Sequence, residues 1–96
     1  MFNLKIIFRK FKEGDVIALF PTEPATLDPN ECTSYQHIGQ HGAADVRGMI
    51  QATRPALPAE FVPLLAELES IGYDLKVCKR VSRAMNHKRY QTLRAI

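Results

Sequence analysis

The spacing of apolar residues near the N-terminus predicts a β-hairpin. Apolar side chains occupy every second position from residue 2 to residue 8, a period that is typical of a half-buried strand. A second strand is predicted over residues 15–20 and stops at Pro21, and the connecting turn contains Gly14, which tolerates a positive φ. Ile7, Phe11, Ile17 and Leu19 are apolar on the opposite face, so we expect part of that face to be covered as well.

The middle of the chain changes from strand-like to helical spacing. Residues 22–31 contain Pro24 and Pro29 and are predicted to form a loop, and residues 32–38 a polar third strand. After two glycines, residues 43–53 are predicted to form a short helix. Gly48 costs this helix about 1 kcal/mol relative to alanine, so it needs tertiary support.

The C-terminal half predicts two further helices with a strand between them. Leucines and aromatic residues recur at helical spacing up to Gly72, a natural helix stop, and Pro63 either begins this helix or bends its first turns. Residues 73–81 alternate again and predict a fourth strand. Ser82 is placed to cap a last helix over residues 83–96, which is either loosely docked or ordered only against a partner.

This order of elements predicts an α+β fold. We expect an antiparallel sheet of about four strands, formed by the N-terminal hairpin, the third strand and the late fourth strand, with two helices on one face and a possible C-terminal helix. Residues 1–81 are predicted to form a single α+β domain. Residues 82–96 are predicted to form a basic C-terminal extension, helical or partly disordered.

Composition supports one small folded domain and excludes several classes of protein. The 96 residues are 46% hydrophobic, enough for one modest core. Apolar runs stay far below the ~18 residues of a membrane span, and Lys5, Arg9 and Lys10 interrupt the N-terminal apolar stretch, unlike a signal peptide. Two cysteines are too few for a disulfide framework, so we expect a cytoplasmic protein without a membrane association.

The net charge of +3 conceals a segmented charge distribution. Residues 1–12 carry four basic residues and no acid, whereas residues 13–75 carry all ten acids against Arg47 and Arg54, a balance of −8. Residues 76–96 carry seven basic residues and no acid. Two interpretations stay open: the basic ends lie against the acidic middle within one domain, or a basic end contacts an anionic partner.

The polar segment over residues 34–45 is the first candidate site. Small residues at a predicted helix N-terminus leave backbone N–H groups open to an anion, and nearby side chains add donors. The candidates for binding an anion or a partner are Tyr35, His37, Gln40, His41 and Asp45. The alternatives are a tight structural connection, whose glycines satisfy turn geometry, or a small catalytic or ligand-binding site.

Metal and catalytic motifs are weak. Cys32, His37, His41 and Asp45 are residue types that bind zinc, but two glycines interrupt the helix that would place both histidines on one face. The nucleophile elbow, the phosphate-binding loop and the dinucleotide fingerprint do not occur in the sequence. We therefore predict no metal, no cofactor and no catalytic residue.

The basic C-terminal segment is the second candidate site. Its clustered cations are suited to phosphate neutralisation, with Lys5, Arg9 and Lys12 as further contributors. The candidate nucleic-acid-binding residues are Lys79, Arg80, Arg83, Lys88 and Arg89. The alternatives are a solvated surface or a helix that docks on a protein.

Three strings carry a family resemblance: FRKF with GDVIALFP over residues 8–21, SYQHIGQHGAAD over residues 34–45, and ELESIGY over residues 67–73. Over residues 2–80 the chain resembles a family of small uncharacterised proteins of bacteria and their mobile elements. The resemblance implies a bacterial cytoplasmic protein and transfers no activity, catalytic residue or cofactor. The position of Pro63 departs from the family pattern.

Three functions follow as hypotheses. The first is a non-enzymatic interaction or accessory protein that binds a macromolecular partner, through a protein contact or self-association. The second is a nucleic-acid-binding protein that uses the basic N- and C-terminal segments. The third is a small ligand-binding protein or enzyme that uses residues 37–45.

Overall fold

The computed structural model describes residues 3–37 and 39–95, so predictions that fall on Phe2, Ile38 and Ile96 lie outside the described residues. The elements in chain order are β1 (Leu4–Lys10), β2 (Val16–Pro24), β3 (Glu31–Gln36), β4 (Gln40–Asp45), α1 (Val46–Ala52), β5 (Arg54–Pro55), α2 (Pro58–Ser70), β6 (Leu75–Cys78) and α3 (Arg83–Arg94). None of the helices in these described stretches is long and apolar enough to span a bilayer.

The strands form one mainly antiparallel sheet in the order β4-β3-β2-β1-β5, with β6 parallel to β1. Strands β5 and β6 share the outer edge of β1: Lys10 is opposite Arg54 in β5, and Lys5 is opposite Lys76 in β6. The α+β class with an antiparallel sheet is therefore confirmed, with more strands than the four expected. Strand β5 was not predicted, since two residues give no periodicity to detect.

The N-terminal hairpin forms as predicted. Strand β1 pairs with β2 from Lys10↔Val16 onward, and Gly14 has a φ of +106° in the connecting turn. The prediction that β2 stops at Pro21 is wrong, because the strand continues to Pro24. Its pairing with β3 shifts register between Phe20 and Pro24, which lets the strand pass prolines that lack a ladder donor.

The prediction of a helix from residue 43 is wrong. Residues 40–45 form β4 and pair in continuous register with Glu31–Gln36, while α1 begins at Val46. Gly39, at a φ of +70°, lies in the short connection that turns the chain back. The gain from pairing along a full strand overrides the weak strand propensity of Gly42, Ala43 and Ala44.

The C-terminal helices end and begin near the residues that the sequence indicated. Helix α2 begins at Pro58 and contains Pro63, and after its C-terminus Gly72 has a φ of +109°. The Ser82 hydroxyl accepts a hydrogen bond from the Met85 N–H, which caps α3 as expected. The predicted strand over residues 73–81 is shortened to Leu75–Cys78.

Helices cover both faces of the sheet, rather than one face as expected for the first two. Helix α2 packs on the first face, where Leu64 and Leu68 join Ile6, Phe8 and Phe20 in one core cluster. On the second face, a separate cluster is built from the residues Ile17, Leu19, Cys32, Ala44 and Val46, with Met49, Ile50 and Val81 packed against it. The apolar second faces of the hairpin strands indicated this coverage.

Two buried arginines attach the helices of the second face. Arg9 is 7% exposed and donates hydrogen bonds to the Thr53 hydroxyl and to the carbonyls of Ile50 and Thr53, at the C-terminal end of α1. Arg89 is 1% exposed and donates from Nε to the Pro29 carbonyl and from Nη1 to the Pro21 carbonyl. Sequence-distant segments are thus connected through guanidinium groups.

Candidate functional site

Three of the five residues predicted in the polar segment meet on the first face. Tyr35 is buried, and its hydroxyl donates a hydrogen bond to Glu67 Oε2 and accepts one from the Gly39 N–H at 3.0 Å. His37 Nδ1 lies 2.5 Å from Glu67 Oε1, so the same carboxylate also holds the imidazole. The hydrogen bond to Glu67 raises the pKa of the Tyr35 phenol, because the carboxylate favours the protonated form.

His41 joins this group across the β3–β4 pair. It is opposite Tyr35 in the strand register, and the two rings meet edge to face with centroids 4.7 Å apart. His41 Nε2 is 2.8 Å from the Tyr73 hydroxyl. These residues form a hydrogen-bonded cluster between β3, β4 and the C-terminal end of α2, and each polar side chain in it has a partner.

Gln40 and Asp45 lie apart from this cluster. Gln40 neighbours His41 within β4, so the alternation of a strand turns its side chain to the opposite face. Asp45 ends β4 and lines a groove on the second face. The expected arrangement of backbone donors at a helix N-terminus is also absent at residues 42–44, since these residues belong to β4.

The sequence did not identify Glu67 and Tyr73 as members of the cluster. Glu67 is 32 residues from Tyr35 along the chain, and no local motif joins them. One signal was present: Glu67 lies three residues after Leu64 and directly before Leu68, both buried, so the helical spacing places a carboxylate beside the core face of α2. An acid at such a position needs partners from another element.

Cys32 is separated from the histidines by the sheet. It is fully buried in the cluster on the second face, and burial raises its pKa to about 11, so the thiol is neutral near pH 7. His41 lies on the first face, opposite Tyr35. The two residue types needed for a nucleophile and its base are therefore not brought together here.

The basic C-terminal candidates divide into exposed and buried residues. Lys79, Arg80, Arg83 and Lys88 are exposed, whereas Arg89 is fixed in the interior by the carbonyls of Pro21 and Pro29. The exposed cations of this segment, which we call the basic face, are Lys76, Lys79, Arg80, Arg83, Lys88 and Arg94. On α3, Arg83 and Arg94 share one side, whereas Lys88 lies about 140° around the helix from Arg83. Within residues 3–37 and 39–95, none of the cations of the basic face forms an ion pair.

Two basic residues outside this segment are paired with one carboxylate, and a third is buried. Lys10 Nζ is 2.6 Å from Glu60 Oε2, and Arg54 Nη2 is 2.7 Å from the same oxygen. Arg9, expected as a contributor to nucleic-acid binding, is buried against α1. The interpretation that both basic ends lie against acidic residues thus holds for Lys10 in the N-terminal segment but not for the basic face.

A groove of about 980 Å³ separates α1 from α3 on the second face. We call it the interhelix groove. Asp45, Arg47 and Ile50 line it on the α1 side, and Asn86, Arg89 and Tyr90 line it on the α3 side. A second, smaller cavity of about 240 Å³ lies beside His37 and Glu67.

Comparison with known proteins found no match: no family model, no curated protein and no solved structure matches the chain.

The two candidate sites differ in one respect that matters for binding. The side chains of the Tyr35 cluster are engaged with one another, whereas the cations of the basic face have no carboxylate partner in the part of the chain that the structure describes.

Proposed function

We propose that this chain is a non-enzymatic binding protein of the bacterial cytoplasm and that its macromolecular partner is a nucleic acid. One observation carries the proposal: the six exposed cations of the basic face have no ion pair among residues 3–37 and 39–95. Residues 76–96 contain no acid that would reduce their combined potential. An extended anion is the partner that such a surface favours.

The geometry of α3 supports contact with a chain of phosphates. Arg83, His87 and Arg94 are exposed and share one side of the helix, since they are four and seven residues apart. Lys79 and Arg80 precede the helix in an exposed connection. A polyanion that follows α3 would therefore meet the positive charges of Arg83 and Arg94 on one side of the helix, and each phosphate contact would release condensed counterions.

Arg89 has a different role in this proposal from the one predicted. Its guanidinium is buried, so it does not bind phosphate; it holds α3 on the sheet through the carbonyls of Pro21 and Pro29. The exposed side of α3 is thereby presented on a fixed helix. Preorganisation of this kind lowers the entropy lost on binding.

The test is a binding titration of a fluorescent oligonucleotide, followed by anisotropy, at salt concentrations from about 50 to about 200 mM. We expect affinity to fall steeply with salt. The double variant Arg83→Gln with Arg94→Gln should bind at least about tenfold more weakly, and its slope of log affinity against log salt should be smaller by about 1.5.

The matched control is the double variant Lys10→Gln with Arg54→Gln. It removes the same number of positive charges, but from residues that are already paired with Glu60. We expect a change in affinity of less than about threefold. Equal weakening by both double variants, failure of the native chain to bind at low salt, or equally tight binding of poly-glutamate would each overturn the proposal.

A further inference from the structure

The interhelix groove lies directly beside the basic face. Tyr90 lines the groove and lies between His87 and Arg94 in the spacing that places Arg83, His87, Tyr90 and Arg94 along one side of α3. Arg47 lines the same groove from α1. Positive groups therefore border the groove on both helices, and an anionic backbone bound to the basic face would run along its edge.

The lining of the groove also presents hydrogen-bond acceptors, beside the guanidinium groups of Arg47 and Arg89. Asn86 Oδ1 is buried and has no hydrogen-bond partner among the described residues. The Asp45 carboxylate has no hydrogen bond or ion pair within residues 3–37 and 39–95, and Asp28 and Glu31 add further carboxylates to the lining. The three carboxylates outnumber the two guanidinium groups in this lining, so phosphate is disfavoured there, whereas neutral groups that carry N–H donors are favoured.

Tyr90 provides an aromatic surface at the entrance. Its side chain is 37% exposed, and the Arg89 guanidinium carbon lies 5.2 Å from the ring centroid. Because Arg89 is itself held by two backbone carbonyls, the ring rests on a fixed neighbour. An exposed, supported aromatic ring beside a line of cations is the arrangement on which unpaired bases stack.

We propose that the interhelix groove binds unpaired nucleobases, so that the nucleic-acid partner is single-stranded. The inference rests on the proposed function: phosphates contact the basic face, and bases turn inward, stack on Tyr90 and donate to the acceptors of the groove. A duplex does not satisfy this arrangement, since its bases are paired and stacked on one another. The acceptors favour bases with exocyclic amino groups, such as cytosine, over thymine.

The experiment compares three labelled probes of about 15 nucleotides: oligodeoxycytidine, oligodeoxythymidine and a mixed-sequence duplex. We expect the native chain to bind oligodeoxycytidine at least about tenfold more tightly than the duplex. We also expect oligodeoxycytidine to bind about threefold or more tightly than oligodeoxythymidine. Tyr90→Ala should weaken binding of the single strand about tenfold and leave duplex binding unchanged.

Thr92→Ala is the matched control, because Thr92 is exposed on α3 but, two residues after Tyr90, lies on the other side of the helix from Arg83 and Arg94. It should leave all three affinities within about twofold. Circular dichroism of Tyr90→Ala establishes that this variant is folded.

Equal affinity for duplex and single strand, or equal weakening of both by Tyr90→Ala, would overturn the inference and leave the proposed function intact. Equal affinity for the cytidine and thymidine probes would overturn the role of the groove acceptors. Absence of binding to every probe would overturn the proposed function itself.

Discussion

The two faces of the sheet are covered by different means. On the first face, α2 packs through Leu64 and Leu68 into a continuous apolar cluster, and the polar cluster around Glu67 closes its edge. On the second face, α1 and α3 lie apart with the interhelix groove between them. There the buried guanidinium groups of Arg9 and Arg89 supplement a smaller apolar cluster.

This difference explains why the candidate binding surface lies on the second face. The buried side chains of α2 are apolar, whereas α3 is fixed by Met85 together with the buried Arg89, and its other basic side chains stay exposed. Helix α3 buries Met85 and Arg89 and exposes Arg83, Lys88 and Arg94. The second face thus combines a stable attachment with an accessible basic surface.

Loss of apolar packing on the first face should have the largest effect on stability. Leu68 is 0% exposed, so Leu68→Ala removes buried methyl groups and leaves a cavity, and we expect the free energy of unfolding to fall by about 3 kcal/mol. Urea denaturation followed by circular dichroism measures it. Leu27→Ala, at a position 83% exposed, should change it by less than about 0.5 kcal/mol. Similar losses in both variants would contradict the packing of α2.

Replacement of the buried arginine of α3 should have the next largest effect. Arg89→Met keeps a long side chain but leaves the carbonyls of Pro21 and Pro29 without their donors, and we expect a loss of about 2 kcal/mol in the same measurement. Lys88→Met makes a comparable change at an exposed position one residue earlier and should cost less than about 0.5 kcal/mol. If Arg89→Met were as stable as Lys88→Met, the second face would be held by apolar packing after all.

The elements with strong local signals could be predicted from the sequence. The first hairpin, α2 and the Ser82 cap of α3 follow from periodicity, turn residues and caps that act within a few positions. Strand β4 could not be predicted in this way, because residues 40–45 contain two small alanines and a glycine and become a strand only through pairing with β3. Its formation depends on partners brought back by the turn at Gly39.

The basic face could be predicted only in part, because local sequence indicates charge but not the long-range contacts that bury a residue. Exposure of a basic helix follows from a segment rich in cations and free of acids, and most of those cations are exposed. Arg89 could not be distinguished from Lys88 by its type or neighbours; its burial depends on the carbonyls of Pro21 and Pro29, which lie 68 and 60 residues away. Glu67 could not be identified for the same reason, because it lies in α2 and its partners Tyr35 and His37 lie 32 and 30 residues earlier in the chain.

Replacement of Arg9, the second buried arginine, should destabilise α1 in particular. Arg9→Met removes three hydrogen bonds to Ile50 and Thr53, and we expect a loss of about 1.5 kcal/mol. Hydrogen exchange should show the loss of protection first in the amides of α1, since these bonds hold its C-terminal end. Lys12→Met, at an exposed position, should leave exchange in α1 unchanged. Uniform loss of protection in α1 and α2 would show that Arg9 stabilises the whole sheet instead of one helix.

The smallest effect is expected from the ion pairs beside α2, and it depends on pH. Donation from Arg54, then from the Leu57 N–H and Lys10, holds the pKa of Glu60 well below its usual value. A carboxyl group whose pKa is lowered by folding stabilises the fold above its unfolded pKa of about 4.3, and this contribution is lost as the pH falls through and below that value. Glu60→Gln should therefore be less stable than the native chain at pH 7, and the difference should shrink steadily below about pH 4.

Denaturation midpoints measured from pH 7 to acid pH test this expectation, and high salt should reduce the difference at pH 7 because the three charges are near the surface. Glu69→Gln is the matched control: Glu69 belongs to the same helix, is exposed, and has no ion pair in the described stretches of the chain. If the denaturation midpoints of Glu60→Gln and the native chain differed by the same amount at every pH, Glu60 would act through its hydrogen-bond geometry and not through its charge. Lys10 and Arg54 would then not be neutralised by Glu60, and they would no longer serve as the paired counterpart of the unpaired cations of the basic face.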